Sequence, residues 1–242
     1  MADKQKGDEK KQADSLSQPQ VIRDVFIVGS PIIVFGIIGN LIGLSTLAGG
    51  AVINLGYLIM IVVGAGLLQK RNSGWREIGL NRPAGWLKTA LSGVAVFVGA
   101  VVLFLAVQGI AVGLLTALGL TLGEIDQSRF NPIEGNLPMF ILMVALAWTT
   151  IAFGEELFFR AFLISRMVDF TRIDKGYVIW IAGAVFGAAH FAEGPVGVLA
   201  NASFGVFFGW IYLRSARNLW ITIIGHGLLN TLRFSLLFAG AA

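Results

Sequence analysis

The chain has 242 residues, of which 56% are hydrophobic and only 13% are charged, about half of the charged fraction of an ordinary soluble domain. This composition excludes a soluble globular domain and predicts an all-α fold, a polytopic bundle of transmembrane helices. The net charge of +4 is small and its basic residues are spread over several loops, so we expect no nucleic-acid surface, and the absence of cysteine excludes disulfides and thiol nucleophiles.

The first predicted element is a polar tail. Residues 1–24 carry five basic and five acidic side chains and few apolar ones, so we predict a disordered cytoplasmic tail followed by a single membrane domain over residues 25–242. Seven apolar stretches then approach or exceed the length of a membrane span. They cover residues 25–47, 51–68, 89–118, 137–164, 177–193, 196–213 and 219–240. We therefore predict about seven helices, within a range of six to eight, the fifth and sixth being shorter than a comfortable span.

Lysine and arginine are concentrated in the tail and in alternate loops. They are Lys4, Lys6, Lys10, Lys11, Arg23, Lys70, Arg71, Arg76, Arg82, Lys88, Arg166, Arg172, Lys175, Arg214 and Arg217. The opposite loops contain only Arg129, beside several acidic residues. Because positive loops stay in the cytoplasm, we predict an integral protein of a bacterial cytoplasmic membrane with its amino terminus inside.

Several predicted helices carry glycine pairs four residues apart. They are Gly39/Gly43, Gly109/Gly113, Gly183/Gly187 and Gly205/Gly209. Such pairs let helix backbones approach closely inside a membrane. We interpret them as helix-packing positions.

Three polar motifs interrupt the later apolar stretches. They are Glu155-Glu156-x-x-x-Arg160, Phe186-x-x-x-His190 and His226-x-x-x-Asn230. An ionisable side chain at mid-bilayer depth costs about 2.5–3.5 kcal/mol, so several together predict a functional site. Each motif contains two residues at a spacing of four, which places both on one face of a helix.

Glu155 and Glu156 are expected to have different roles. Glu156 is spaced to form an ion pair with Arg160 in its own helix, which would offset part of the cost of burying both charges. Glu155 points in another direction, about 100° around the helix, and has no partner within the helix. An unpaired carboxylate of this kind suits a general base.

Other intramembrane chemistries lack their residues. The chain has no His-Glu-x-x-His motif of a zinc protease, no aspartate within an apolar stretch, and no glycine-flanked serine at Ser203. The remaining set is a carboxylate, two imidazoles and an amide. That set suits hydrolysis of a substrate by an activated water.

The three motifs, in this order, resemble those of the CPBP (CAAX protease and bacteriocin-processing) family, which includes the type II CAAX prenyl endopeptidases. The segments Ile78–Pro83 and Leu219–His226 are also similar to family members, so that the resemblance covers about residues 75–232. It implies that Glu155 activates the water and that His190 orients it. It further implies that His226 and Asn230 bind the oxyanion, with Glu156 and Arg160 as a supporting pair.

The resemblance leaves two questions open. Glu155, His190 and His226 are the alternative ligands for a Zn²⁺ ion with water as the fourth ligand, although we favour a site without a metal or other cofactor. The substrate is expected to be a peptide or membrane protein in the lipid bilayer, with or without a prenyl group. The alternatives to a protease are a catalytically inactive scaffold, immunity or assembly protein on the same fold, and an ion-coupled transporter, for which no inverted repeat is visible.

Overall fold

A computed structural model of the chain describes residues 17–43, 47–119 and 132–241. Within these ranges it contains seven helices and no strand. The helices are α1 (Gln18–Ile42), α2 (Leu47–Lys70), α3 (Trp86–Ala117), α4 (Leu137–Phe170), α5 (Lys175–Ala189), α6 (Gly194–Arg214) and α7 (Leu219–Phe238). Six of them are long and apolar enough to cross a membrane, whereas α5 is shorter. The prediction of an all-α bundle of about seven helices is confirmed.

The predicted tail ends at Asp24, whereas α1 begins at Gln18 in the structure. Ser17 caps this helix through a reciprocal capping box, which satisfies backbone groups at its start. The Asp24 carboxylate is buried and forms an ion pair with Arg71 of the loop after α2, at 3.1 Å. A charged residue is therefore retained inside the bundle because it has a partner. The remainder of the predicted tail, residues 1–16, lies outside the described residues.

Helix α4 is the centre of the bundle. Every residue from Glu156 to Ile164 is buried. The α1–α2 hairpin packs on one side of α4, while α5, α6 and α7 pack on others. Helix α3 lies outside, against α6 and α7. A motif on α4 is therefore surrounded by protein rather than by lipid.

Helix α4 is not a regular α-helix. Two of its segments, Ala147–Ile151 and Glu156–Ile164, adopt the wider π-helical winding, and Ala152–Glu155 between them is α-helical. Sequence periodicity predicts only a continuous helix here. Insertions of π-helix are uncommon in proteins, and those that occur often lie at functional sites. The acidic pair lies where the α-helical segment, which ends at Glu155, meets the second π-helical segment, which begins at Glu156.

Helix α5 ends at Ala189, before the end predicted at residue 193. His190 has left the helical conformation, and a single 3₁₀ turn then leads to Gly194 with a φ of 73°. A glycine tolerates this left-handed conformation, and the proline that follows fits the first turn of α6. The turn places His190 at the tip of a helical hairpin.

Glycines allow α5 and α6 to lie in contact. A Cβ atom on Gly183 would come within 2.5 Å of Val206, and one on Gly205 within 2.6 Å of the Gly183 Cα. The predicted packing role is confirmed for these two glycines. Gly109 and Gly113 show no such contact, because no atom of another described helix lies within 4 Å of a Cβ built there.

The basic loops meet at one end of the bundle. The Leu219 amide donates a hydrogen bond of 3.1 Å to the Gly79 carbonyl, which joins the start of α7 to the loop after α2. Arg217, in the turn between α6 and α7, donates a hydrogen bond of 2.7 Å to the Asp169 carboxylate, which joins this turn to the end of α4. The pair of Asp24 with Arg71 lies among these elements at the amino terminus of α1. We call this end the basic face.

The side of the membrane on which the basic face lies can be tested with reporter fusions. We expect a reporter fused after Lys88 or Lys175 to lie in the cytoplasm, and one fused within residues 119–136 to lie outside, because basic loops resist translocation. Green fluorescent protein and alkaline phosphatase, fused at each position, report the two sides. Reversed signals at these positions would contradict the orientation.

Candidate active site

The three motifs supply a buried polar cluster in the middle of the bundle. Its members on α4 and α7 are almost inaccessible: the exposed fraction is 4% for Glu155, 0% for Glu156, 1% for Arg160 and 8% for His226. Charged groups are almost never buried to this degree unless they are paired. The cluster therefore depends on its internal contacts.

Glu156 joins the first motif to the third. The Arg160 guanidinium lies 3.0 Å from the Glu156 carboxylate, so the predicted ion pair is present. The same carboxylate oxygen lies 2.9 Å from the Nδ1 atom of His226 on α7. The guanidinium also lies over the rings of Phe186 and Phe208, at 4.7 Å and 5.4 Å. Arg160 is thus held by a carboxylate and by cation–π contacts.

Glu155 has a partner that the sequence does not indicate. The Tyr57 hydroxyl, on α2, donates a hydrogen bond of 2.7 Å to the Oε1 atom of Glu155. The other carboxylate oxygen, Oε2, accepts no hydrogen bond within the described part of the chain. The Nε2 atom of His226 lies 3.8 Å from this oxygen. The contacts of the Glu155 carboxylate thus come from α2 and α7 and not from its own helix.

The hydrogen-bond partner of each imidazole determines that its Nδ1 atom carries a hydrogen. The Nδ1 atom of His226 faces a carboxylate, which only accepts, so Nδ1 carries a hydrogen. The Nδ1 atom of His190 lies 2.8 Å from the Phe186 carbonyl and must also be the donor. In the neutral ring of His190, Nε2 is then an acceptor.

The cluster contains two carboxylates and one guanidinium. A proton on both nitrogens of His226 would bring its sum of charges to zero, with Nε2–H directed at Glu155 across 3.8 Å. A buried set without net charge costs far less to desolvate than one with an excess charge. His226 therefore links the two glutamates, which the spacing of the motifs alone does not indicate.

His190 and Asn230 lie at the edge of this cluster and are half-buried. The His190 ring packs on Phe186 with 4.7 Å between ring centroids, and Phe186 lies 6.3 Å from the ring of His226. His190 itself forms no ion pair with Glu155 or Glu156 in the described structure. The Nδ2 atom of Asn230 is buried and has no hydrogen-bond partner among the described residues. Asn230 thus offers a buried donor.

A second contact network fixes the turn that follows His190. Glu193 accepts hydrogen bonds from Asn201 on α6 at 2.9 Å and from Arg233 on α7 at 3.2 Å. The turn is thereby tied to the helix that carries His226. The sequence does not indicate this network, because Asn201 and Arg233 lie 8 and 40 residues from Glu193 and none of the three belongs to a motif.

The predicted alternative zinc ligands are not brought together. Within residues 17–43, 47–119 and 132–241, no group of three His, Cys, Asp or Glu side chains has the spacing of a metal site. Glu155 and His226 approach each other to 3.8 Å, whereas the His190 ring packs on Phe186 and forms no ion pair with either glutamate among the described residues. Among the described residues, Glu155, His190 and His226 therefore do not have the arrangement of a three-ligand Zn²⁺ site.

The family comparison covers the segment that carries all three motifs. Residues 137–232 match the family described as Type II CAAX prenyl endopeptidase Rce1-like. No curated protein and no solved structure matches the chain. The match does not include the loop at 78–83, which the resemblance also covered. Over residues 137–232 the predicted resemblance to this protease family, a part of the CPBP family, is confirmed.

Proposed function

We propose that this chain is an intramembrane endopeptidase that hydrolyses a peptide bond with water activated by Glu155. The observation that carries the proposal is the buried cluster in which one imidazole, His226, contacts the carboxylates of both Glu155 and Glu156. A hydrolytic site needs a base with a free oxygen and donors for the oxyanion. Glu155 Oε2 and Asn230 Nδ2 are such groups.

In the proposed reaction, Glu155 Oε2 takes a proton from a water molecule as the water oxygen bonds to the substrate carbonyl carbon. The carbonyl oxygen becomes an oxyanion, which accepts hydrogen bonds from Asn230 Nδ2 and from Nε2–H of protonated His226. The C–N bond then breaks, and the proton held by Glu155 passes to the leaving amine. The products are a carboxyl and an amine terminus, and Glu155 is again a carboxylate.

His190 and the Glu156–Arg160 pair support this chemistry. The acceptor Nε2 of neutral His190 would orient the water, as the resemblance implies. Glu156 accepts from Nδ1 of His226 and so holds the ring with Nε2 toward Glu155. Arg160 balances the Glu156 charge.

The substrate in this proposal is a peptide or membrane protein that reaches the site from the cytoplasmic side. His226 lies seven residues into α7, which begins at the basic face, so it lies about 10 Å from that end at 1.5 Å per residue. A peptide that ends in a prenylated Cys-aliphatic-aliphatic-X sequence fits the matched family and the bilayer. A catalytically inactive scaffold on the same fold would retain the cluster without turnover.

The oxyanion role of Asn230 gives a direct test. We expect Asn230→Ala to reduce kcat on the order of 10²–10³-fold, the effect of removing one oxyanion donor. The assay is cleavage of an internally quenched, prenylated Cys-aliphatic-aliphatic-X peptide by purified protein in liposomes.

The matched control is Asn40→Ala. Asn40 is also a helical asparagine, but it is exposed, and among the described residues its side chain donates to the Gly36 carbonyl of its own helix. This variant should cleave the peptide as the parent does. If Asn230→Ala cleaved the peptide with the kcat of the parent, the proposed oxyanion role of Asn230 would be wrong.

Metal removal tests the proposed mechanism from another direction. We expect treatment with EDTA or 1,10-phenanthroline to leave cleavage unchanged, because every proposed step uses side chains of the chain itself. Metal content should be measured on the same protein before and after treatment. Loss of cleavage that added Zn²⁺ restores would contradict this mechanism.

A further inference from the structure

The hydrogen bond between Tyr57 and Glu155 joins the site to a part of the chain outside the matched segment. Tyr57 lies on α2, and the match begins at residue 137. Both side chains are buried, with exposed fractions of 8% for Tyr57 and 4% for Glu155. A buried phenol is usually hydrogen-bonded, and here its partner is the carboxylate proposed to be the general base.

The local packing fixes the phenol in this place. The Tyr57 ring lies against Gly154, where a Cβ atom would come within 2.9 Å of the ring. One turn away, the Thr150 hydroxyl donates a short hydrogen bond to the Asn54 side chain. Among the described residues, two side-chain hydrogen bonds thus connect α2 to the stretch of α4 that ends in Glu155, and only the one from Tyr57 reaches the carboxylate.

The hydrogen bond from Tyr57 gives the two carboxylate oxygens of Glu155 different surroundings. Tyr57 donates to Oε1 at 2.7 Å, while Oε2 accepts no hydrogen bond in the described residues and faces His226. A carboxylate anchored through one oxygen cannot rotate freely about its terminal torsion, which is otherwise soft. The free oxygen is therefore held toward the position at which a proton would be taken.

We propose that Tyr57 is a positioning residue for Glu155, which fixes Oε1 so that Oε2 acts as the base. This inference rests on the proposed function of Glu155. In this proposal the α1–α2 hairpin contributes a residue to the active site, in addition to spanning the membrane. In this role the phenol acts through the orientation of the carboxylate, to which it donates its hydrogen bond.

Substitution of the hydroxyl tests the inference in the same peptide assay. We expect Tyr57→Phe to lower kcat on the order of 10–100-fold, the range for one hydrogen bond to a charged group, with KM unchanged. Thr150→Val is the matched control, because it removes the neighbouring hydrogen bond between α2 and α4 without touching Glu155. It should retain the parental kcat, although its melting temperature falls.

A second variant displaces the phenol instead of deleting its hydroxyl. Gly154→Ala should push the Tyr57 ring away from Glu155, since its Cβ would lie within 2.9 Å of that ring. We expect it to lower kcat in the parent but to have little further effect in Tyr57→Phe, because the same contact is already absent. Such non-additivity indicates a shared contact.

An infrared measurement tests the contact without any substrate. The carboxylate bands of Glu155 are obtained as the difference between the spectra of the parent and of Glu155→Gln. We expect Tyr57→Phe to shift these bands and Thr150→Val to leave them in place, because only the first removes a donor from the carboxylate. Equal band positions in the parent and Tyr57→Phe would overturn the positioning role.

The two readouts separate this inference from the proposed function. If the bands shift but Tyr57→Phe cleaves with the parental kcat, the contact exists and Tyr57 does not position the base. If Glu155→Gln itself cleaves as the parent does, the proposed function fails. The positioning role then fails with it, even where the bands shift.

Discussion

Glu155→Gln is expected to lower the turnover of the purified protein by about 10⁴-fold, the upper end of the contribution of a positioned general base. The amide keeps the size of the side chain and can still accept a hydrogen bond from Tyr57, so folding and substrate binding should be nearly intact. It cannot take a proton from water. The measurements are kcat, KM and the melting temperature in detergent.

A Glu→Gln change elsewhere controls for the substitution itself. Glu77 is exposed in the loop after α2, and Glu77→Gln should cleave as the parent does. Activity of Glu155→Gln within a few-fold of the parent would end the glutamate mechanism. If Glu155→Gln and Asn230→Ala both had no effect on the cellular phenotype, an inactive scaffold would be the better explanation.

Glu156→Gln is expected to destabilise the protein by about 3–5 kcal/mol, the cost of removing one partner from a buried ion pair. Arg160 would remain in the core, with an exposed fraction of 1%, facing a neutral amide. The amide would also hold the His226 ring less firmly, so activity should fall together with stability. Thermal unfolding in detergent and the yield of folded protein measure the effect.

The pair between Asp169 and Arg217 provides the matched control. It joins α4 to the turn before α7 at the partly exposed basic face, where side-chain exposures are 34% and 27%. Asp169→Asn should cost no more than about 1 kcal/mol, as solvent-exposed pairs do. A Glu156→Gln protein that is inactive but as stable as the parent would instead assign Glu156 a direct role in the chemistry.

The helices and the three motifs could be predicted because each leaves a local signal. Apolar runs of membrane length indicate the spans, and a spacing of four indicates the Glu156–Arg160 pair. The link between His226 and both glutamates depends on how α4 and α7 pack. No periodicity within a single helix contains that information.

Tyr57 could not be predicted for the same reason, since one tyrosine in an apolar helix gives no sign of its partner 98 residues later. The sequence predicts a first span that starts at residue 25, because Asp24 belongs to a polar stretch and its contact with Arg71 is not visible in the sequence. It predicts that the fifth span continues to residue 193, because hydrophobicity continues through Phe191 into the turn. In each case a tertiary contact or a turn conformation outweighs the local pattern.

The product formed by the purified protein tests the central claim most directly. The parent and Glu155→Gln are each reconstituted in liposomes with the prenylated peptide in H₂¹⁸O, and the products are analysed by mass spectrometry. We predict that the parent cuts one internal peptide bond and places ¹⁸O from water in the new carboxyl terminus, whereas Glu155→Gln leaves the peptide intact. The same labelled product formed at equal rates by both proteins would contradict hydrolysis by Glu155-activated water.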